Sequence, residues 1–570
     1  MKGLLRLAAV VDHPSSMRAC CRRGASRLCG RRHSSAASSS ASCARPKNDV
    51  QQRWKMPNHR HQGKLSVNSN KISYNKKSRI KAAASSLHST DTKPKSQKFQ
   101  APFSAFISCL PGLEPMLLQE VEYLHSQWPP PLLDDDYSAI KTKDVPHILP
   151  GGVKLTLPSL HHLYLLHLYL GTATHIYIRL NDDNLAGGIK LPPLFRARGF
   201  AELQRKIEDL IVSQRWDEWL LPKNNNNNND NDDDRPDDGK ECKVQVHVTT
   251  SKSKLMHTKA IEERVKQSIQ QVFSNVATDN TTESDAKPMS RIRLMIRIDR
   301  DVVQLSLDTS QTPLHRRGYR LKPHKAPLRE DLAYALLMSG GLMPNWDLRP
   351  QFYCSKSSPH RSSERTNHRL LTLYDPFCGS GTIAIEGACL QLGLPPGRFL
   401  PPPFDGTTFC NPALWEEMKS KALSVLSSAP QDSLRVAAGD IDQKAIDAAE
   451  ANAKRAGVYK WIDFRKISFV LHPLLKDMKN GQKSQGSNDS SPSLLVVTNP
   501  PYGIRSPDET KNTIYRKLAK VLSSSSRRID CAIIGKNIRA MRESGMPLEV
   551  IFSTKHGGLN VVAMSGRVTP

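Results

Sequence analysis

The chain has 570 residues, a formal net charge of +28, and 38% hydrophobic against 24% charged residues, enough for roughly two to four domains with a sizeable core. Its eleven cysteines form no CxxC pair and no His/Cys cluster at zinc spacing, which argues against structural zinc and against a disulfide framework. The longest apolar run, Leu160 to Ile178, is interrupted by four His, so no membrane-spanning helix is expected.

The charge is unevenly spread. Residues 1–100 hold 22 Lys/Arg against 3 Asp, which accounts for +19 of the total, so overall basicity is mostly a property of the leader and not by itself a nucleic-acid footprint. The opening "MKGLLRLAAVVDHPSSMRACCRRGASRLCGRRHSSAASSSASCARPKNDV" is rich in Arg, Ser and Ala, with Asp12 and Asp49 its only acids. That composition matches an organelle transit peptide over residues 1–48, for a mitochondrion before a plastid, with a merely disordered basic tail in the cytoplasm as the plainer alternative. A polar, basic linker over 49–102 follows, so ordered structure is expected from Phe103.

"FSAFISCLPGLEPMLLQEVEYL" reads as a strand, a turn and a helix with Leu113, Met116, Leu117, Val121 and Leu124 on one face. "HIYIRL" and "KVQVHVTT" alternate as strands do; helix "AIEERVKQSIQQV" and strands "RIRLMIRID" and "VVQLSLDT" come next. This predicts an α+β unit over roughly 103–315. After "RRGYR", helices and short apolar strands alternate to the end, the pattern of a doubly wound α/β sheet with mostly parallel strands over 316–570. Three polar segments, 223–240 (Asn/Asp-rich), 355–368 and 479–493, lack apolar residues to offset the entropy of ordering and are expected to be loops.

In "LLTLYDPFCGSGTIAIEGACL" an apolar strand runs into Asp375 and Phe377, then the Gly379-Ser380-Gly381 turn, and a helix starts at Thr382. Glycines let a ligand approach the backbone, and the helix start offers unpaired N–H groups. "RVAAGDIDQKAIDAAEANAKRAGV" then places Asp440 and Asp442 between a strand and a helix, where an acid accepts hydrogen bonds from ribose hydroxyls. There is neither a P-loop nor a GxGxxG signature, so a ribose without a phosphate cradle is favoured, which suggests S-adenosylmethionine. A further strand, in the order expected for the fourth of that sheet, ends in "VVTNPPYGIR". Two prolines make a rigid turn there, either a structural corner or a grip for a planar amine. In the second case the Asn499 side-chain oxygen and the Pro500 carbonyl accept the two amine hydrogens while Tyr502 stacks on the ring.

"DPFCGSGT", "GDIDQKAI" and "TNPPYG" resemble motifs I, II and IV of class I amino methyltransferases. "LHRRGYR", "APLREDLAYALL", "NPALWEEMKSKA", "STKHGGLN" and "SKLMHTKAIEERV" are similar to segments of one branch, the THUMP-domain RNA guanine-N2 methyltransferases, which includes the first half of the bacterial bifunctional 23S rRNA enzyme and related tRNA enzymes. The resemblance covers about residues 103–570. It implies a ferredoxin-like and THUMP region for RNA capture followed by a Rossmann-like catalytic domain, S-adenosylmethionine as cofactor, and the amine of a guanosine, in large-subunit rRNA or in tRNA, as target. It puts Asp375, Phe377, Gly379, Gly381, Thr382, Asp440, Asp442 and Ser468 at the cofactor. Ser468 stands where the family usually has an acid near the adenine, and Asp463 is the alternative for that contact. Since the chain closes soon after "KHGGLN", one methylation activity is expected.

Arg196, Arg198, Lys254, His257, Arg316, Arg317 and Arg320 are candidate RNA contacts or else ordinary solvated charges. Cys378 beside the glycine turn has no His/Asp partner pattern and reads as structural, and the His of "LHHLYLLHLYL" read as helix-surface or core residues instead of metal ligands. Competing functions are methylation of adenine N6 in DNA or of a glutamine amide, which the upstream RNA-capture region disfavours, and a non-catalytic RNA-binding or assembly factor, which the intact motifs disfavour. The oligomeric state is not legible.

Overall fold

The computed structural model describes residues 102–126, 145–182, 191–213, 216, 243–272, 277–278, 291–310, 312–321, 327–343, 372–405, 407, 409–424, 435–475, 494–501, 509–525 and 528–569. All of them fall in the unit Asn75–Pro570. The leader, the three polar insertions and Tyr502 lie outside the described residues.

The first half runs β1 (Phe103–Cys109), α1 (Glu114–Ser126), β2 (His147–Leu149), β3 (Gly152–Leu157), α2 (Leu160–Tyr169), β4 (Ala173–Arg179), β5 (Phe195–Arg196), α3 (Phe200–Ser213), β6 (Lys243–Ser251), α4 (Thr258–Val272), β7 (Ala277–Thr278), β8 (Arg291–Asp299) and β9 (Val302–Asp308). These strands form one sheet of order β2-β3-β1-β4-β9-β8-β6-β7, with β5 on β9. Register explains why a single core suffices. Ile107 lies opposite Ile176, Ile178 opposite Leu307, Leu307 opposite Leu294, and Leu294 opposite Val246, so period-2 alternation puts the apolar residues of successive strands on one face. Leu117, Val121 and Leu124 of α1, Leu203, Ile207 and Ile211 of α3, and Ile261, Val265 and Ile269 of α4 join the same core. The α+β expectation for this region therefore corresponds to one continuous sheet.

The second half runs α5 (Glu330–Ser339), β10 (Thr372–Asp375), α6 (Thr382–Gln391), α7 (Pro412–Leu423), β11 (Arg435–Asp440), α8 (Gln443–Ala456), β12 (Ile462–Lys466), β13 (Leu494–Thr498), α9 (Glu509–Ser523), β14 (Ile529–Gly535), α10 (Ile538–Arg542), β15 (Leu548–His556) and β16 (Leu559–Val568). Its sheet order is β12-β11-β10-β13-β14-β16-β15; β10 to β14 are parallel and β16 is antiparallel to its two neighbours. β10 and β13 are buried along their whole length, which is why they read as continuous apolar runs without alternation. Strand order reverses at β10, whose neighbours are β11 and β13, so the fold opens its crevice at the carboxyl ends of these three strands.

Local chemistry sets the helix ends. The Asp442 side chain accepts from the Lys444 amide at 3.0 Å at the start of α8, and Gly457 ends it in the left-handed region. α2 is buried on all sides from His162 to Tyr169 because it lies between the two halves. Its His162 ring is 2.8 Å from the Ser159 hydroxyl and its His167 ring 2.7 Å from the Thr309 hydroxyl, as core histidines are. No His/Cys/Asp/Glu group able to hold a metal occurs among the described residues, nor a helix long and apolar enough to cross a membrane. The seam between halves is tight. A Cβ on Gly171 would stand 2.4 Å from the Tyr334 ring, so only glycine fits there. Across the same seam the Asn411 amide donates to the Tyr164 hydroxyl at 2.7 Å and the Phe404 amide to the Thr309 carbonyl at 3.1 Å.

Candidate active site

β10 delivers Asp375 to the carboxyl edge, with its side chain buried beneath the turn that follows. One carboxylate oxygen accepts from the Thr498 hydroxyl at 2.9 Å and from the Phe377 amide at 3.2 Å, which ties the end of β10 to the end of β13. Burial pushes its pKa up to about 7, opposed by these hydrogen bonds and reinforced by the Asp440 charge. Asp375 and Thr382 are both buried and shape the turn, whereas Phe377 and Gly379 are partly open.

The turn is held from below and from the side. The Cys378 amide donates to the Gly439 carbonyl at 2.9 Å, and the Gly379 amide to Asp440 Oδ2 at 3.1 Å. Gly381 sits at φ +84°, and a Cβ there would come within 2.9 Å of the Ala449 Cβ, so glycine is required both for conformation and for the approach of α8. The Cys378 thiol is buried and its pKa rises far above the ordinary value through desolvation, as expected of a structural residue.

Asp440 ends β11 half-buried. Its Oδ1 accepts from the Asp442 amide at 3.0 Å, so each carboxylate oxygen is engaged once by backbone and keeps a further lone pair for a ligand hydroxyl. Beside it Ile441 is 72% exposed, an apolar face at the mouth of the crevice that sequence inspection passed over. Ser468 follows directly on β12, since the Ile467 amide donates to the Asp440 carbonyl at 2.9 Å. Asp463 pairs with Ala437, three positions before Asp440 in the register and so roughly 10 Å from the edge, and it is bound to Arg465 at 2.7 Å. Geometry therefore brings Ser468 to the crevice and leaves Asp463 away from it. Phe377 and Phe469 close this side, with ring centroids 5.0 Å apart.

At the end of β13, Asn499 is partly exposed, yet its Oδ1 is buried with no hydrogen-bond partner in the described structure. Pro500 is buried and Pro501 exposed, which fixes the Asn499 backbone between a packed and a solvated ring. A lone buried acceptor costs about 1–3 kcal/mol unless a ligand supplies a donor.

Two residues absent from the sequence-based set support the turn. Asn452, fully buried on α8, donates to the Ser380 carbonyl at 3.0 Å and receives a bond from Arg455, whose Nε donates to the Tyr319 carbonyl at 2.8 Å. The Tyr319 hydroxyl donates to Glu386 at 2.7 Å. No local motif marks Asn452; only the helical period that turns it toward α6 does.

The candidate RNA contacts divide. Arg317 is 1% exposed and donates to the Leu314 carbonyl at 2.7 Å and the Gly171 carbonyl at 2.5 Å, with Glu386 at 3.8 Å. It is a seam residue and does not face solvent, which corrects its assignment as an RNA contact. Arg320 is mostly covered and bound to Glu330 at 3.0 Å and the Leu328 carbonyl at 2.7 Å, so it too is structural, while Arg316 is exposed. Arg196, Arg198, Lys254 and His257 are all exposed. Asp301 gathers two of these segments: it pairs with Arg198 at 3.3 Å and accepts from the Lys254 amide at 2.7 Å. The same end carries Lys252 and Arg300, both at positive φ in turns, which sequence reading missed.

Comparison with known proteins fits this geometry. Residues 365–546 match the family model UPF0020, described as RMKL-like, methyltransferase domain. The chain is similar to the ribosomal RNA large subunit methyltransferase K/L of Marinomonas sp. (strain MWYL1), 31% identical over 298 residues, 52% of this chain and 36% of that protein. A protein of the same name from Syntrophotalea carbinolica is 30% identical over 311 residues, 54% of this chain and 39% of its own length. The chain thus spans little more than a third of the curated relatives it matches. Among solved structures, one titled "SMU.472, a putative methyltransferase complexed with SAH" aligns with TM-score 0.56 at 19% identity over 82% of this chain and 98% of its own. A protein from Listeria monocytogenes str. 4b F2365, titled "predicted N6-adenine-specific DNA methylase", aligns with TM-score 0.56 at 22% identity over 81% and 96%. The second half has the Rossmann-like methyltransferase fold.

Proposed function

We propose that the chain is an S-adenosylmethionine-dependent RNA methyltransferase acting on the exocyclic 2-amino group of a guanosine, in large-subunit rRNA. The observation that carries this reading is the unpartnered, buried Oδ1 of Asn499 at the end of β13, next to Thr498, whose hydroxyl ties this strand end to Asp375 of β10. The names of the curated relatives support ribosomal RNA as the substrate.

The crevice residues fit the cofactor. Asp440 keeps lone pairs for both ribose hydroxyls, Gly379 presents open backbone with nothing within 4 Å of where a Cβ would stand, and Ile441 and Ser468 border the place of the adenine. Bound there, S-adenosylmethionine supplies an electrophilic methyl on a sulfonium. The chain's own residues supply position. An aromatic amine is a poor nucleophile because its lone pair is delocalised, so it must be held at the nitrogen and aimed. Asn499 Oδ1 and the Pro500 carbonyl would accept hydrogen bonds from its two N–H groups; the methyl would come from the bound cofactor, whose sulfur would keep the S–C bonding pair as a neutral thioether, and the methylated nitrogen would release one proton to water. Tyr502, outside the described residues, takes the stacking role.

In this reading the first sheet, over 103–315, comprises the ferredoxin-like and THUMP regions and captures RNA. Its basic end, with Arg196, Arg198, Lys252, Lys254 and Arg300, takes phosphates. That region also favours RNA over DNA adenine or a protein glutamine as the target. The test is Asn499→Ala in the full chain: methyl incorporation into guanosine of large-subunit rRNA should fall by about 10²–10³ while S-adenosylmethionine affinity stays within about twofold. A variant with full turnover, or wild type that modifies no guanosine, would remove the assignment.

A further inference from the structure

The two sides of Asn499 on the carboxyl edge of the second sheet differ in charge. In the order β12-β11-β10-β13-β14-β16-β15, the acids Asp375, Asp440 and Asp442 lie on the β10 and β11 side of Asn499, with exposed Lys466 opposite Asp440 at the end of β12. On the other side the edge carries Lys536, directly after β14, and Lys555 and His556 at the end of β15; both lysines are exposed. Register makes this side a raised wall. Gly535, the last residue of β14, pairs with Val562, while Lys555 pairs with Asn560 and His556 with Leu559, so the β15–β16 hairpin extends three residues, roughly 10 Å, past the end of β14. Gly557 and Gly558, at φ +55° and +79°, give the two-residue turn that keeps its tip sharp.

The wall is anchored on the first half: Gly112 packs so closely on β15 that a Cβ there would stand 2.1 Å from the Ser553 carbonyl, and at the end of the strand the His556 Nδ1 is buried without a partner among the described residues. Arg329 is clamped by Asp331 at 2.6 and 3.0 Å and meets the His315 ring at 3.1 Å, next to exposed Arg316. Glu330 is held by Arg320 at 3.0 Å. Glu330 and Asp331 are thus paired with arginines and Glu114, on the turn that packs against Ser553 of β15, is engaged by the Gly112 and Gly151 amides, while Lys536, Lys555 and Arg316 are exposed cations of this side.

We propose that Lys536 and Lys555, continued by Arg316, form a phosphodiester-binding rail that holds the RNA strand on the far side of the base presented to Asn499. This rests on the function proposed above and adds its substrate face. With strands roughly 4.8 Å apart, Lys536 stands one strand and Lys555 three strands from β13, about 5 and about 14 Å along the edge. Lys536 therefore meets the phosphate nearest the target nucleotide, and Lys555 one further along.

The experiment uses the full chain and a fluorescein-labelled oligouridylate, read by anisotropy across a salt series. Lys536→Gln/Lys555→Gln should weaken binding about tenfold and flatten the slope of log affinity against log salt by about 1.4, two single-strand phosphate contacts. Lys536→Glu/Lys555→Glu should weaken it further. Calorimetric affinity for S-adenosylmethionine, whose site lies across β13, should be unchanged in both, which also certifies folding. Unchanged RNA affinity and slope in the Gln variant overturns the rail while leaving the proposed function standing. An equal loss on polyglutamate marks a surface for any anion and overturns it as well. Wild type that binds cofactor but no oligouridylate removes the RNA reading and the rail together.

Discussion

Asp375→Asn separates the electrostatic cost of the crevice from its hydrogen bonding. The Asp375 carboxyl is buried, and desolvation raises its pKa from an ordinary 3.8 to about 7. Each tenfold step in a proton equilibrium is worth 1.36 kcal/mol, so holding this group ionised above pH 7 costs the fold about 4 kcal/mol. The sign follows from proton counting. Between about pH 4 and 7 the folded state keeps a proton that the unfolded state has lost, so this group's contribution is most favourable below about pH 4 and declines as pH rises to 7, then stays flat. An asparagine retains an oxygen for the Thr498 hydroxyl and the Phe377 amide but carries no charge, and it also relieves repulsion with Asp440. Urea unfolding of wild type and variant at pH 5, 6, 7 and 8 should show a stability difference that grows with pH in favour of the variant, to a few kcal/mol at pH 8. Other titrating groups cancel in the difference. A variant equal to or weaker than wild type at pH 8, or a difference independent of pH, would refute the reasoning.

Asp440→Ala removes the acceptor for the Gly379 and Asp442 amides together with the proposed ribose contact; calorimetry should show cofactor affinity weakened by about 1.5–3 kcal/mol, and unchanged affinity would move the ribose elsewhere. Gly171→Ala drives a Cβ into the Tyr334 ring at 2.4 Å, so the fold should lose about 1–3 kcal/mol, as for an overpacked core, and its thermal midpoint should drop; an unaltered midpoint would mean that the seam yields. Residues 1–48 fused to a fluorescent protein should direct it to mitochondria, and a diffuse or nucleolar signal would withdraw that expectation.

Where function depends on residues close in sequence, the sequence alone was informative. The strand that stops at Asp375, the Gly379–Gly381 turn and the end of β13 at Thr498 were all legible, because a glycine at positive φ and a proline pair act over a few residues whatever surrounds them, whereas Asp442, read as a cofactor contact, proved to cap α8. The apolar character of β10 and β13 was equally plain, since parallel strands covered on both faces need no partner to be recognised. The register that joins nine strands into one sheet, and the seam that buries Arg317 while leaving Arg316 exposed, came only from packing. Adjacent arginines in an irregular segment have no period from which a face could be read. Asn452 holding the Ser380 carbonyl across 72 residues, Asp301 drawing Arg198 and Lys254 together, and the gathering of Lys536 and Lys555 on one side of the sheet edge likewise depend on which element lies beside which. Hydrogen bonds and charges act over ångströms of space, and distance along the chain does not encode that space until the core has closed.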